Sequence, residues 1–285
     1  MNRTLVFLLL VSSILLDRPV FAQDRPTVAM IGTGTLSSVL GPAIGQQGYR
    51  VIYGSRDPER ETVRALVARS GPNASAATQA AAAAGAEVVI LAVPSEVLEE
   101  VAGNLGPLSG KVIVDVSGGR KRIAADGYLE LVPDSAFSEQ IQARHSDSRV
   151  VRINLPNMIL FLNPLILGTR PTVLIAGNDP RAREVVAKLM FDTGMDPWDA
   201  GPLRFSRVFD AINVMNLIPA QQGRIEGYEL KLLPSIPFSC FFDMSEHFGF
   251  GRPYDIAELP SFPRRDLVVP CDEWLRRAGL GDQRQ

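Results

Sequence analysis

The sequence predicts an α/β fold built on a doubly wound parallel sheet. Three features lead to this prediction: short apolar segments of strand length, segments of helical spacing between them, and a glycine-rich turn after the first strand. "AEVVILAVP", for example, is wholly apolar after its glutamate, as expected of a strand buried on both faces. Such alternation is typical of parallel sheets that bind ligands at the carboxyl ends of their strands.

The elements can be predicted in chain order from periodicity and turn residues. Segment 75–85 is nearly all alanine, a strong helix former, so we expect a helix there. Asp179 is a good cap for the helix that follows it. The predicted strands run from residue 28 to the first glycine of the turn and over 51–53, 86–94, 111–117, 149–155, 172–177 and 196–199. The predicted helices are the segment that follows the glycine turn and ends at 41, and then 60–69, 75–85, 97–105, 180–191 and 203–220.

The turn after the first strand has the pattern Gly-x-Gly-x-x-Ser, formed by Gly32, Gly34 and Ser37. In a dinucleotide-binding turn the first glycine permits a tight bend, and the second lets main-chain amides approach a pyrophosphate at the helix start. Glycines at this spacing also occur simply to turn a chain, but the apolar strand before them and the helix after them favour the Rossmann-type interpretation.

The end of the second strand indicates which dinucleotide is bound. NAD-binding folds usually place an acidic residue there for the ribose hydroxyls. This chain has Gly54, Ser55 and Arg56 instead, with Arg60 one turn later. Guanidinium groups suit a ribose phosphate, so the pattern predicts NADP(H) in preference to NAD(H). The alternative is that both arginines form the solvated start of a helix after Asp57.

Composition excludes several other classes of protein. The chain is 46% hydrophobic and 21% charged, with a net charge of -2 and no basic stripe, which argues against a nucleic-acid partner. His145 and His247 are not clustered with the cysteines, so no metal site is predicted. Cys240 and Cys271 could form a disulfide in an oxidising compartment or be two ordinary apolar residues, and the sequence leaves both open.

Residues 1–22 have the pattern of a secretory signal peptide. Arg3 precedes an apolar run at 5–16, and "VFA" ends at Ala22 in the form that signal peptidase accepts. A helix over that run would be about 18 Å long, too short for a stable membrane span. We therefore predict export, periplasmic or secreted, with cleavage near Ala22. Because soluble NADP(H) is a cytoplasmic cofactor, a cytoplasmic protein with a misassigned start remains the alternative.

Segment 32–60, "GTGTLSSVLGPAIGQQGYRVIYGSRDPER", resembles the NADP-binding segment of the NADPH-dependent deazaflavin-coenzyme oxidoreductases. It is also similar to the oxidoreductase domain of the six-transmembrane metalloreductases and to the amino-terminal domains of pyrroline-5-carboxylate reductases. The resemblance continues through "VILAVP", "VIVDVS" and "VVRINLPN" and covers about 27–201. It departs from the family pattern at Ser37 and at Gly41-Pro42, which falls inside the first helix.

The resemblance implies roles for individual residues. Gly32, Thr33, Gly34, Thr35 and Leu36 would surround the pyrophosphate. The ribose phosphate would lie on Ser55, Arg56 and Arg60. The side of the cofactor would contact Ala92, Val93 and Pro94, and Asn154 would lie near the nicotinamide. No catalytic residue can be named, because hydride transfer between two stacked rings needs no protein acid or base. Asp115 ends a strand, where an aspartate usually caps the next turn.

We therefore predict an NADP-binding domain over 27–201 and a mainly helical or irregular extension over 202–285 that forms an acceptor pocket or a homodimer contact. The expected function is hydride transfer between NADP(H) and a flavin, a deazaflavin or another small acceptor. Two alternatives stay open: a dinucleotide-binding sensor or assembly protein without turnover, and an imine reductase resembling pyrroline-5-carboxylate reductase.

Overall fold

The computed structural model describes residues 25–119, 121–132, 137–223 and 228–232, together with Glu273 and Arg276. The chain divides into two units, 1–231 and 232–285, and every strand and helix described below belongs to the first. The predicted signal peptide and both cysteines lie outside the described residues. The predicted division into 27–201 and 202–285 stays a prediction.

An eight-stranded sheet forms the centre of the first unit, in the order β3-β2-β1-β4-β5-β8-β9-β10. These strands are β1 Val28–Ile31, β2 Val51–Ser55, β3 Ala74–Thr78, β4 Val88–Leu91, β5 Val112–Asp115, β8 Arg149–Asn154, β9 Thr172–Gly177 and β10 Asp196–Gly201. β6 Lys121–Ile123 and β7 Leu129–Leu131 form a separate antiparallel hairpin.

Six strands, from β3 to β8 in sheet order, run parallel to one another, which confirms the predicted fold class. β8 pairs antiparallel with β9, and β9 pairs parallel with β10, so the last two strands run in the opposite direction. The connection at 155–171 contains only a short 3-10 helix, Met158–Phe161. Because no α-helix carries the chain back across the sheet there, β9 enters beside β8 in the reverse direction.

Helices cover both faces of the sheet, and the side chains of each strand alternate between two apolar cores. Val28 and Met30 pack in one core with α1 and α6, while Ala29 and Ile31 pack in the other with α3, α4 and α5. The helices are α1 Thr35–Gln46, α2 Glu61–Arg69, α3 Gln79–Ala84, α4 Leu98–Gly103, α5 Phe137–Arg144, α6 Pro180–Asp192 and α7 Ser206–Gln221.

The predicted alanine-rich helix over 75–85 is wrong in its first half. Ala74–Thr78 is strand β3, paired with β2, and the helix begins only at Gln79. The hydrogen bonds offered by the free edge of β2 outweigh the helix propensity of the alanines, because intrinsic propensity is a small contribution that tertiary contacts override. Thr78 ends the strand and begins the helix, because its hydroxyl oxygen accepts a hydrogen bond from Ala81 N at 3.3 Å.

The sequence reasoning did not find the β6–β7 hairpin or α5. α7 agrees with the predicted helix at 203–220, apart from a 3-10 turn at its start, and it packs against β7 and β8. None of the helices in the described part of the chain combines the length and the apolarity needed to cross a membrane.

Pro42 lies inside α1, and the helix continues through it. Proline has no N–H, so the carbonyl of Ser38 loses its usual partner four residues later. Arg69 of α2 donates to that carbonyl at 3.4 Å and replaces the missing donor. A Cβ at the preceding Gly41 would lie 2.0 Å from the hydroxyl of Tyr53 on β2. The Gly-Pro pair therefore lets α1 lie close against the sheet.

Candidate nucleotide-binding site

The glycine turn connects β1 to α1 at the carboxyl edge of the sheet. Gly32 has φ +109°, and a Cβ there would lie 2.4 Å from the carbonyl oxygen of Ala92, so only glycine fits. Gly32 N donates to Gly54 O at 3.0 Å, which ties the turn to β2. Nothing lies within 4 Å of a Cβ built at Gly34, so the space in front of that residue is open.

The amino terminus of α1 can accept an anion. Gly34 is its N-cap residue, no side chain caps it, and the first turn contains no acidic residue. The amides of the first turn and the helix dipole therefore favour a negatively charged group such as a phosphate. Thr35 is exposed and Leu36 is half-buried beside this end, while Ser37 is buried and its hydroxyl has no hydrogen-bond partner among the described residues.

The structure brings Arg60 to the glycine turn. Its guanidinium Nη2 donates to the hydroxyl oxygen of Thr33 at 3.2 Å, although the two residues are 27 positions apart. Arg56 is exposed at the end of β2. The hydroxyl of Ser55 donates to Asp57 O at 2.9 Å and accepts from Asp57 N at 3.1 Å, so it shapes the turn. The predicted contacts of these residues with a ribose phosphate stay predictions.

The loop after β4 lies against the glycine turn. Ala92 N donates to Ile31 O at 2.9 Å, and a Cβ at Gly32 would lie 3.1 Å from Val93 Cγ1. Pro94 is exposed beyond them. β1 and β4 are the strands at which the connections change direction across the sheet, and ligands of doubly wound folds bind in the crevice at this point.

Asn154 ends β8 at the same edge. It is 3% exposed, and its Oδ1 is buried without a hydrogen-bond partner in the described part of the chain. β8 lies three strand positions from β1, about 14 Å at the usual spacing between strands. The glycine turn and Asn154 thus mark two separate positions along one edge of the sheet.

A buried charged cluster lies between β5, β8 and α7, and the sequence reasoning missed it as a group. Arg152 Nη2 donates to Asp210 Oδ1 at 2.7 Å, and Arg152 Nη1 lies 3.8 Å from Asp115 Oδ1. The side chains of Arg152, Asp115 and Asp210 are 2%, 1% and 7% exposed. Burial raises the pKa of the Asp210 carboxyl, and the Arg152 guanidinium opposes that rise.

Lys121 of the hairpin lies at the margin of this cluster. Its ammonium donates to the carbonyl of Gly118, and burial lowers its pKa, while Asp210 opposes that shift. Asp115 caps the turn after β5, as predicted: its Oδ1 accepts from Ser117 N at 2.8 Å. The one available sequence signal was an arginine within the apolar strand "VVRIN", since the partner Asp210 is 58 residues away.

A cavity of about 300 Å³ lies elsewhere, at the opposite edge of the sheet, lined by residues 84–87 and 109–111. β4 and β5 begin there, so it faces the amino ends of the strands. Dinucleotides bind at the carboxyl ends in this topology, which favours the glycine turn as the functional site.

The parallel sheet, the strand order and the paired glycines at a helix start define a dinucleotide-binding protein of the Rossmann type. Residues 27–119 match the family described as NADP oxidoreductase, coenzyme F420-dependent. The chain is 26% identical over 274 residues to metalloreductase STEAP3 of Rattus norvegicus. The aligned region covers 87% of this chain and 48% of that relative. It therefore spans about half the length of that curated relative.

Solved structures show the same similarity. One is provisionally described as an F420-dependent NADP-reductase of Arthrobacter sp. FB24 and has 26% identity and a TM-score of 0.63. The match covers 73% of this chain and the whole of that chain. An imine reductase of Aspergillus terreus in complex with NADPH4 has 14% identity and a TM-score of 0.53. The match covers 70% of this chain and 63% of that chain, and it shows a shared fold alone. The predicted resemblance to NADP-dependent oxidoreductases is confirmed at this level.

Proposed function

We propose that this chain transfers hydride between NADP(H) and a small planar acceptor, a flavin or a deazaflavin. The observation that carries this proposal is the contact of Arg60 with Thr33 beside an uncapped helix start. It joins a cation suited to a ribose phosphate to main-chain amides suited to a pyrophosphate. NADP(H) carries both of these groups, whereas NAD(H) has the pyrophosphate but lacks the ribose phosphate.

The residues of this chain would act by binding and orientation. The amides of Thr35 and Leu36 would bind the pyrophosphate, Arg56 and Arg60 would hold the ribose phosphate, and Asn154 would lie near the nicotinamide. The nicotinamide ring of the cofactor supplies the hydride when it is bound. Because stacking and exclusion of water suffice for that transfer, we assign no protein nucleophile.

The names of the relatives support the choice of acceptors. One family description and one solved structure name coenzyme F420, a deazaflavin, and the curated relative is named as a metalloreductase. Purified protein should therefore be mixed with NADPH and, in turn, a flavin, the deazaflavin and a ferric chelate, with absorbance followed at the nicotinamide band. Oxidation of NADPH by a flavin or the deazaflavin supports the proposal. Tight binding of NADPH without its oxidation by any acceptor favours the alternative of a dinucleotide-binding sensor without turnover.

The cofactor preference is tested by Arg56→Asp. Loss of charge-assisted bonds to the ribose phosphate should weaken NADPH binding by about tenfold or more and change NADH binding by less than about twofold. Arg50→Asp is the matched control, because Arg50 is also exposed and precedes the same strand at the opposite edge of the sheet. Calorimetric titration measures both affinities. An equal loss for the two cofactors would contradict the role given to Arg56.

We also propose that the protein is exported after cleavage near Ala22 and that it forms a homodimer. The signal pattern at 1–22 supports the first proposal. Amino-terminal sequencing of the protein recovered from the periplasm or the medium tests it, with a variant lacking 2–22 as control. Light scattering of the mature chain tests the second.

A further inference from the structure

Arg152 lies near the carboxyl end of β8, the strand that ends at Asn154. It lies on β8 directly opposite Asp115 of β5, and it precedes Asn154 by two residues on the same face of the strand. Arg152 is thus the nearest charged residue along β8 to an amide oxygen that is buried and without a partner in the described part of the chain.

The guanidinium of Arg152 binds main chain as well as carboxylates. Its Nη1 donates to Asp115 O at 3.4 Å and to Ile153 O at 3.2 Å, and its Nη2 donates to Asp210 on α7. One side chain therefore connects the last residue of β5, the residue before Asn154 and the helix above them. Each of these bonds restricts the carboxyl ends of β5 and β8.

The turn after β5 is shaped around the same group. Gly119 has φ +70°, and a Cβ there would lie 2.6 Å from Asp210 Cγ, while a Cβ at Gly118 would lie 2.6 Å from Lys121 Nζ. Gly119 combines a positive φ with this close approach to Asp210, so a larger residue there would be strained. Asp115 holds the other end of the turn through Ser117 N and the hydroxyl of Ser138.

Stability alone is a poor explanation for this arrangement. Removing a buried ion pair from water is costly, and well-packed apolar side chains of similar size often do as well or better. A buried pair does impose one geometry on the segments that it joins, because each charge must keep its partners. The segments joined here are the ones beside Asn154.

We propose that Arg152 is a positioning residue for the nicotinamide end of the site, acting through Asn154. Held by Asp210 and by main-chain carbonyls, it keeps the end of β8 in the position where Asn154 Oδ1 would accept a hydrogen bond from the carboxamide of the cofactor. This inference rests on the proposed function, since it needs NADP(H) as the ligand.

The test compares two probes, NADPH and adenosine 2′,5′-bisphosphate, which carries the ribose phosphate but no nicotinamide. Arg152→Lys keeps the charge but loses the forked geometry. It should weaken NADPH binding about fivefold and change the affinity for the bisphosphate by less than about twofold. Asp210→Asn should show the same pattern and serves if the first variant fails to fold. Arg183→Lys, in a pair with Asp199 on β10, is the matched control and should change neither affinity.

A double variant separates positioning from a general structural effect. If Arg152 acts through Asn154, Arg152→Lys should add no further loss of NADPH affinity to Asn154→Ala. The inference would be overturned if the two substitutions lowered NADPH affinity by the product of their separate losses, or if Arg152→Lys weakened the binding of both probes equally. Either result would leave the proposed function intact. Failure of the unaltered protein to bind either probe would overturn both.

Discussion

The two ends of the candidate site are built in different ways. At the glycine turn, the groups available to a ligand are main-chain amides and exposed arginines, and the loops after β1, β2 and β4 touch without buried charge. Between β5 and β8, the structure places Arg152, Asp115 and Asp210 in the interior, bonded to one another. The first end is suited to holding phosphates, and the second to keeping a strand end in one position.

The difference has an energetic consequence. Exposed arginines contribute little to folding until a ligand arrives, since water screens them. Buried charges must keep their partners in the absence of any ligand, because an uncompensated charge in the interior is costly. Substitutions at the first end should therefore alter mainly cofactor binding, whereas substitutions at the second should alter both stability and binding.

The largest expected effect is on stability at the buried end. Arg152→Met should lower the free energy of unfolding by about 3 to 5 kcal/mol, because it leaves Asp115 and Asp210 buried without their cation. Arg122→Met, which breaks the exposed pair of Arg122 with Glu130, should cost less than about 1 kcal/mol. Urea unfolding of the three proteins measures the difference. Similar losses in both variants would remove the distinction between the two ends.

The next effect separates two glycines of the same turn. Gly32→Ala should lower stability by about 2 kcal/mol and abolish NADPH binding, since it combines a positive φ with a clash against Ala92. Gly34→Ala should leave stability within about 0.5 kcal/mol, because its Cβ would meet nothing within 4 Å, yet weaken NADPH binding by occupying the space of the phosphate. Unfolding and titration should be measured on the same samples. Unchanged NADPH affinity in Gly34→Ala would place the phosphate elsewhere.

The smallest effect concerns Tyr53, which lies beneath α1 at the phosphate end. Burial raises its pKa from 10.0 to about 12, although its hydrogen bond with Ser70 and the charge of Arg69 act in the opposite direction. A folded-state pKa above the unfolded value gives stability that is complete below about pH 10 and is lost as the pH rises through about 12.

Tyr53→Phe removes this titration. At pH 8 the free energy of unfolding of the unaltered protein should exceed that of the variant by about 1 kcal/mol, the usual contribution of one hydrogen bond. The advantage should shrink or vanish by pH 11, because the unfolded tyrosine then ionises while the folded one does not. Urea unfolding at both pH values provides the measurement. A constant difference would show that Tyr53 titrates alike in both states.

Much of the phosphate end could be predicted from local sequence. Gly32, Gly34, Arg56 and Arg60 belong to one strand-turn-helix-strand segment, and their spacing follows from turn chemistry. Even there, the contact of Arg60 with Thr33 and the use of the Ser55 hydroxyl within its own turn came only from the structure. The buried end could not be predicted as a unit, because Asp115, Arg152 and Asp210 lie in three separate elements.

Apart from β3, the β6–β7 hairpin and α5, the sequence by itself determined the strands and helices, the parallel part of the sheet and the glycine turn after β1. These depend on periodicity and on backbone preferences over a few neighbouring residues. Tertiary structure decided that Ala74–Thr78 pairs with β2, that β9 and β10 reverse, and that Arg152 meets Asp210. Pairing at a sheet edge and burial of charge depend on which distant segments pack together, a choice made by the free energy of the whole fold rather than by local residues.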